Sequence, residues 1–175
     1  MRLRHARTPS ASGFTLVELL IYVGILTLAL VSIVVLLSSA TKIVTRVKEV
    51  KEVRSSALMV LDRLDREVKK ATSIVVAESV LGATPGSLTL LSVDEGGNPR
   101  EVMFGLNEDD DIAIYYDGTL RGALTSEEVV VNEIEFYRVD NVLSESVIAR
   151  FTLSHEGAPT KTETFYLTAV LRGSY

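Results

Sequence analysis

The sequence contains no cysteine, and this absence removes several classes of protein at once. A disulfide framework, a zinc site built on thiolates and a cysteine nucleophile all need a residue that the chain does not have. The absence does not decide the compartment, because many exported domains fold without disulfides.

Helix-breaking residues are almost absent from the first part of the chain. Before Gly82 there is one proline, Pro9, and there are only two glycines. Proline removes a helical hydrogen bond, and glycine costs about 1 kcal/mol relative to alanine inside a helix. One helix can therefore run from Phe14 to about Ala71, roughly 58 residues and about 87 Å long.

Acidic residues are missing from the segment before Phe14, which carries Arg2, Arg4 and Arg7. The rest of the chain has 15 basic and 23 acidic residues, so its formal net charge is −8, compared with −5 for the whole chain. The positive-inside rule then predicts a cytoplasmic N-terminus and an acidic domain on the other side of a membrane. A net-acidic domain also argues against nucleic acid as a general partner.

Charge is also missing from Leu19 to Thr41, a run of 23 residues. At about 1.5 Å per residue this run spans roughly 35 Å, enough to cross the hydrocarbon core of a bilayer. A secretory signal peptide has a shorter apolar core, of about 7–15 residues, followed by a small-x-small cleavage site. Ser38-Ser39-Ala40 could serve as such a site, but the core is too long, and we predict a membrane segment over residues 14–41.

The stretch "GFTLVELLIYVGIL", which begins at Gly13, closely resembles the N-terminal signal of type IV pilins and pseudopilins, the prepilins of type IV filaments. In that family a basic leader ends in glycine, and a dedicated prepilin peptidase cuts after it on the cytoplasmic side. The new first residue, usually phenylalanine, is then methylated. The pattern is specific because a Gly-Phe pair, a lone glutamate, a basic leader and a long apolar run occur together.

The resemblance implies a role for three residues. Residues 1–13 would be the leader, cleavage would fall between Gly13 and Phe14, and Phe14 would be methylated. Glu18, the one acid in the apolar run, would meet the N-terminal amine of a neighbouring subunit during assembly. A charge in lipid is costly, so a partner for Glu18 is expected on physical grounds too. The alternative is a carboxylate that only reaches to the membrane interface.

The helical pattern continues past the membrane segment, over residues 42–72. Apolar residues recur at steps of three and four, with one polar interruption at Arg54, which predicts a helix with one apolar stripe. We expect the stripe to pack under a sheet, with a coiled coil as the alternative. The stripe comprises Ile43, Val47, Val50, Ala57, Leu61, Leu64, Val68 and Ala71.

The end of this helix, "ALMVLDRLDREVKKATSI", resembles a narrower group within the same family. Minor pseudopilins of the J kind and W-kind minor pilins have similar helix ends, which lead into a β domain. Many major pilins also have a helix-kinking proline late in the apolar run, near Val35 in this numbering, and this chain has none. Both features favour a minor subunit at the filament tip.

After Ser73 the apolar period changes to two, which predicts an antiparallel β domain over residues 73–175. The fold class is therefore α+β: a long N-terminal helix, with a membrane half and an amphipathic half, packed against a C-terminal β domain, as in pilins. "YYDGTLRG" predicts a tight hairpin at Asp-Gly. Seven strands are predicted: Ile74–Val80, Ser87–Val93, Glu101–Leu106, Ile112–Tyr116, Val129–Val139, Ser146–Ser154 and Thr162–Leu171.

The sequence offers little for catalysis. His155 is the one histidine after the leader, no G-x-S-x-G motif accompanies it, and we expect it to be a solvated turn residue. We predict no enzyme, no cofactor and no small-molecule substrate. Glu108 and Asp109, Asp110 and Asp111 form an acidic turn that could supply oxygen ligands to Ca²⁺. A plain solvated turn is the expected alternative, since the spacing matches no EF-hand.

The sequence therefore predicts a non-catalytic structural subunit of a type IV pilus, a type II secretion pseudopilus or a competence filament. Its partners would be other pilin or pseudopilin subunits, prepilin peptidase, the inner-membrane assembly platform and lipid. It would sit in the inner membrane as a single-pass protein with its C-terminal domain outside, and then in a filament, at the cell surface or in the periplasm. The alternatives are a signal-anchored extracytoplasmic binding or sensor protein with an uncleaved N-terminus, and a secreted enzyme.

Overall fold

The computed structural model describes residues 13, 15–94, 96–141 and 144–171, with Asn141 described for its backbone alone. The predicted leader, apart from Gly13, and the predicted methylation site Phe14 lie outside the described residues. The chain has two compact units, Met1–Thr45 and Arg46–Tyr175. One long helix is followed by eight strands and a short 3₁₀ helix in the described residues, and the predicted α+β class is confirmed.

The helix α1 runs from Leu16 to Lys70, 55 residues, close to the predicted span. It ends where the amide of Ala71 hydrogen-bonds the carbonyls of Glu67 and Val68. Lys69 and Lys70 lie in its last turn, where cations interact favourably with the negative end of the helix dipole. The absence of proline from this segment lets a single helix continue for its whole length.

The first sheet has five antiparallel strands in sequence order, and each strand joins the next. Its central strands bury apolar side chains on one face, among them Leu90, Phe104 and Ile114. The strands are β1 (Ser73–Ile74), β2 (Leu88–Val93), β3 (Pro99–Leu106), β4 (Ile112–Tyr116) and β5 (Thr119–Ala123). Between β1 and β2 lies a 3₁₀ helix, η1 (Val76–Glu78).

The second sheet has three long antiparallel strands in the order β6-β7-β8. They are β6 (Val129–Asn141), β7 (Ser144–His155) and β8 (Ala158–Val170). Alternate residues of β7 face the core, which is the period of two that the sequence showed. Phe151 of β7 stacks on Phe165 of β8, with ring centroids 5.7 Å apart.

The core lies between the second half of α1 and the two sheets. The buried apolar residues of the helix recur at steps of three and four, as expected for one face packed on a sheet. They are Val53, Ala57, Val60, Leu64 and Val68, and they share one apolar cluster with residues of both sheets. The expectation that this helix packs under a sheet, instead of forming a coiled coil, is therefore confirmed.

The predicted apolar stripe is wrong in its first half. Ile43 and Val47 are about 60% exposed and Val50 is 39% exposed, whereas Val53 and Val60, left out of the prediction, are buried. The predicted stripe seemed to be interrupted at Arg54 because the buried residue in that turn of the helix is its neighbour Val53.

Two strand predictions also need correction. The predicted strand Ile74–Val80 is a two-residue strand followed by η1, because the Ser79 hydroxyl donates to the carbonyl of Val75 and accepts from the amide of Thr89. Such local side-chain bonds compete with sheet pairing. The strand β5 was not predicted, because "TLRGA" has no apolar alternation, so the count is eight strands instead of seven.

The predicted hairpin at Asp117-Gly118 is confirmed, and it joins β4 to β5. Both turn residues have positive φ, 50° for Asp117 and 75° for Gly118, as a primed turn requires. The Asp117 carboxylate also accepts the amide of Glu101, which attaches the turn to β3.

The loop between β1 and β2 covers the outer edge of β6. The amide of Gly82 donates to the carbonyl of Phe136, and the amide of Gly86 donates to that of Ile134, each at 2.8 Å. A side chain at Gly86 would be tightly confined by backbone, because a Cβ would lie 3.2 Å from the Cα of Glu135 and 3.0 Å from the carbonyl oxygen of Ala83. The Thr84 hydroxyl also donates to the Glu135 carboxylate.

A buried carboxylate joins the end of α1 to the first sheet. Glu67 is 2% exposed, and its Oε1 lies 3.2 Å from the Arg63 guanidinium and accepts the Tyr116 hydroxyl. Its Oε2 lies 3.8 Å from Arg100, whose guanidinium stacks on the Tyr116 ring at 4.0 Å. Two guanidinium groups and a hydroxyl surround the buried carboxylate and offset the cost of its burial, but its Oε2 makes no hydrogen bond in the described residues.

Candidate functional site

Gly13, which the sequence assigned to processing, lies just before α1, and Glu18, which it assigned to assembly, lies in the first turn of α1. Gly13 is exposed, and among the described residues no atom lies within 4 Å of the position where its Cβ would be. Thr15 precedes the helix, and its hydroxyl accepts a hydrogen bond from the amide of Glu18 at 3.2 Å. This is the geometry of a helix N-cap, so α1 begins at Leu16, three residues after Gly13, with a capped first turn.

Thr15 is a residue whose role the sequence reasoning missed. Thr15-Leu16-Val17-Glu18 has the T-x-x-E spacing of a capping box, in which the first residue caps the amide of the fourth. That signal was present in the sequence. The hydrogen bond from the amide of Glu18 to Thr15 shows that the backbone of Glu18 takes part in starting the helix.

The Glu18 side chain lies on the surface of an apolar helix and is partly buried. Its Oε1 accepts the hydroxyl of Tyr22, one turn further along, at 3.4 Å. The neighbouring apolar side chains are more exposed, for example Leu16 at 75% and Leu20 at 62%. A neutral hydroxyl does not balance the charge of a carboxylate, so Glu18 needs a countercharge if this surface enters lipid.

The apolar stretch of α1 is the one helix in the described residues that is long and apolar enough to cross a membrane. None of its most apolar window is buried in the protein. Four of its serine and threonine hydroxyl groups donate to carbonyls of the same helix, so they need no water. These are Thr27 to Val23, Ser32 to Leu28, Ser38 to Val34 and Ser39 to Val35. The features are consistent with a single-pass membrane anchor.

The acidic turn between β3 and β4 is organised by an amide side chain. The Oδ1 of Asn107 accepts the amides of Asp109 and Asp111, and Asp110 adopts a positive φ of 61°. One oxygen of Asp111 accepts the hydroxyl of Thr125 at 3.0 Å. The turn is thus held by its own hydrogen bonds, which fits the solvated turn that was expected, and calcium binding stays a prediction.

These acids border an open cleft of about 1160 Å³. Glu127, Glu128 and Glu156 line the same cleft, so six carboxylates converge from three connecting segments. The sequence did not indicate this convergence, because the second group follows β5, a strand that the pattern did not reveal.

His155 is not the solvated turn residue that the sequence suggested. Its side chain is 17% exposed, and its Nε2 lies 2.8 Å from Oε2 of Glu52 on α1. The amide of Gly157 donates to its Nδ1 at 2.9 Å. Because Nδ1 accepts, the proton of the neutral ring lies on Nε2 and is donated to Glu52. The hydrogen bond from His155 is the largest cause that holds the pKa of Glu52 below its usual range.

Together with Glu128, these two residues place three possible metal ligands within 4.8 Å of one another. The hydrogen bonding opposes a metal at Nε2, however. A neutral histidine that binds a metal through Nε2 carries its proton on Nδ1 and donates it to an acceptor. Here Nδ1 faces a donor, the amide of Gly157. The arrangement is that of a structural link between α1 and the end of β7.

Comparison with protein-family models, curated proteins and solved structures found no match to this chain. The functional argument therefore depends on the residues of the chain itself.

Proposed function

We propose that this chain is a structural subunit, minor and tip-associated, of a type IV pilus, a type II secretion pseudopilus or a competence filament. The observation that carries the proposal is the combination at the start of α1. Gly13 lies exposed before a capped apolar helix in which Glu18 is the one charged residue up to Thr41.

Processing comes first in the proposed sequence of events. Prepilin peptidase cuts between Gly13 and Phe14 on the cytoplasmic side, and Phe14 is methylated. Exposure of Gly13 supports access by a protease. The apolar part of α1 then holds the subunit in the inner membrane, with the β domain outside.

Assembly then moves the apolar helix from lipid into the centre of a filament, where helices bundle and the β domains face outward. The exposed apolar surface of the helix must be covered in both places, by lipid or by other helices. Glu18 and the amine of Phe14 on a neighbouring subunit would neutralise each other in this apolar setting. The proposal assigns no catalytic role to the chain.

The test is substitution of Glu18 in a host with the matching peptidase and assembly machine. Glu18→Ala keeps the cap, because the hydrogen bond to Thr15 uses the amide of residue 18 and not its side chain. Membrane insertion should also persist, because the segment becomes more apolar. We expect processed, membrane-resident protein that is depleted from sheared filaments.

Tyr22→Phe is the matched control, since it removes the hydroxyl bonded to Glu18 and keeps the carboxylate. It should enter filaments normally. Incorporation of Glu18→Ala at the wild-type level would contradict the proposed role of Glu18 in assembly.

A further inference from the structure

Three arginine side chains surround the ring of Tyr116, where the C-terminal end of α1 meets the first sheet. Their guanidinium carbons lie 5.9 Å (Arg63), 4.0 Å (Arg100) and 5.3 Å (Arg121) from the ring centroid. The three side chains come from α1, β3 and β5 respectively. Each cation is attracted to the ring, but the three cations repel one another. We call the three arginines and Tyr116 the guanidinium cluster.

The three arginines differ in their polar partners. Arg63 donates to the Tyr116 hydroxyl and pairs with Glu67. Arg100 makes no hydrogen bond to a described residue, although its side chain is only 23% exposed, and it approaches Oε2 of Glu67 no closer than 3.8 Å. Arg121 is exposed, and its contact with the Tyr116 ring is the one interaction found for it among the described residues. Two guanidinium groups at this place therefore have donors to spare.

Polar atoms beside Arg100 also lack partners. Ser92 lies opposite Arg100 in the pairing of β2 with β3, and its hydroxyl is buried without a hydrogen bond. Nε of Arg100 and Oε2 of Glu67 are buried without one as well. Of the four side-chain atoms in this condition in the described residues, three are thus at the guanidinium cluster. Buried polar groups are nearly always hydrogen-bonded, so this concentration indicates that a polar partner is missing here.

The guanidinium cluster also carries unbalanced positive charge. Glu67 balances one guanidinium group. The charge of Arg100 reaches Asp94, but the larger cause of the lowered pKa of Asp94 is its hydrogen bonding to Asn98. Three guanidinium groups thus face two carboxylates, and one positive charge remains. One carboxylate would neutralise it, whereas an extended polyanion would be repelled by the rest of the acidic domain.

We propose that the guanidinium cluster binds a glutamate or aspartate side chain from an acidic segment of a partner protein. The carboxylate lies against Arg100 and Arg121 and accepts hydrogen bonds from their guanidinium groups, whose forked donors match its two oxygens. Arginine and tyrosine are also residue types that are enriched at the energetic centres of protein interfaces. The contact belongs to the β domain and the end of α1, so it does not depend on processing at Gly13.

The test is binding of a defined acidic peptide to the full chain in a non-ionic detergent. The probe is a fluorescently labelled tetraglutamate peptide, followed by anisotropy at low salt, with tetraglutamine as the neutral control. Arg121→Gln should weaken binding of tetraglutamate about tenfold, because it removes a charged donor that has no acceptor in the described residues. Arg66→Gln is the matched control and should bind like the wild type, since Arg66 pairs with Asp62 on α1 itself.

Two further measurements separate carboxylate docking from general charge attraction. Arg121→Lys keeps the charge and loses the fork, so it should bind more weakly than the wild type and more tightly than Arg121→Gln. Inorganic phosphate should displace the peptide no better than sodium chloride of equal ionic strength. Equal weakening by Arg121→Gln and Arg66→Gln in folded variants, equal binding of tetraglutamine, or stronger displacement by phosphate would overturn the proposal.

Discussion

Truncation of one helix residue tests how α1 packs on the sheets. Leu64 is 1% exposed, whereas Leu58, on the same helix, is 66% exposed. Leu→Ala removes three carbon atoms, which at about 0.8 kcal/mol per methylene is about 2.4 kcal/mol of burial. The cavity that remains raises the expected cost of Leu64→Ala to about 3 kcal/mol.

Leu58→Ala is a control with the same chemistry, because any change in helix propensity is common to both variants. Its expected effect on the free energy of unfolding is below about 0.5 kcal/mol. With a urea slope of about 2 kcal/mol per M, Leu64→Ala should lower the midpoint by about 1.5 M and Leu58→Ala by less than about 0.25 M.

The assay is urea unfolding of the full chain in detergent micelles, followed by tyrosine fluorescence. The chain has six tyrosines and no tryptophan, so tyrosine emission is not masked. Equal shifts for the two variants, or a larger one for Leu58→Ala, would refute the assignment of the buried face.

Three further predictions follow from other parts of the chain. Gly13→Val should leave an unprocessed precursor in the membrane, seen by size on a gel, and normal processing would count against the family assignment. Gly86→Ala should lower the unfolding midpoint, because its Cβ would meet the backbone of residues 83, 134 and 135; an unchanged midpoint would mean that the loop can move away. Hydrogen bonds from Tyr137, Arg150 and Thr84 lower the pKa of Glu135 to about 2. Its contribution to stability is therefore present above about pH 4.5 and lost as the pH falls towards 2, and Glu135→Gln should flatten stability over that range.

The fold class was predictable because its signals are local. The scarcity of helix breakers before Gly82 predicted one long helix, and alternation predicted most strands of the β domain. The Asp117-Gly118 turn was recognised because a primed turn needs residues that tolerate positive φ. These features depend on the backbone and on the period of the apolar residues.

The buried face of α1 was harder to predict than its extent. Val50 and Val53 are equally apolar, and only the position of the sheet decides that Val53 is covered and Val50 is not. The strand β5 was missed for a related reason. As an outermost strand it keeps most of its side chains exposed and shows no apolar alternation, so only the Asp117-Gly118 turn indicated that a strand follows β4.

The candidate sites depend on contacts between residues far apart in the chain. Glu52 and His155 are 103 residues apart, and nothing in either local sequence indicates that they form a hydrogen bond. Asp109, Glu127 and Glu156 also line one cleft although they are far apart in the chain, and their local sequences do not indicate it. By contrast, Gly13, Thr15 and Glu18 lie within six positions, so their relation could be seen in the sequence.

The most direct test of the account is mass spectrometry of the mature N-terminus, on protein purified from the membranes of a host with the matching prepilin peptidase. The account predicts a chain that begins at Phe14 and carries a methyl group on its α-amine. An intact N-terminus at Met1 would contradict it and favour a signal-anchored extracytoplasmic protein. A chain that begins at Thr41 would also contradict it, since ordinary signal cleavage would then have removed the apolar segment.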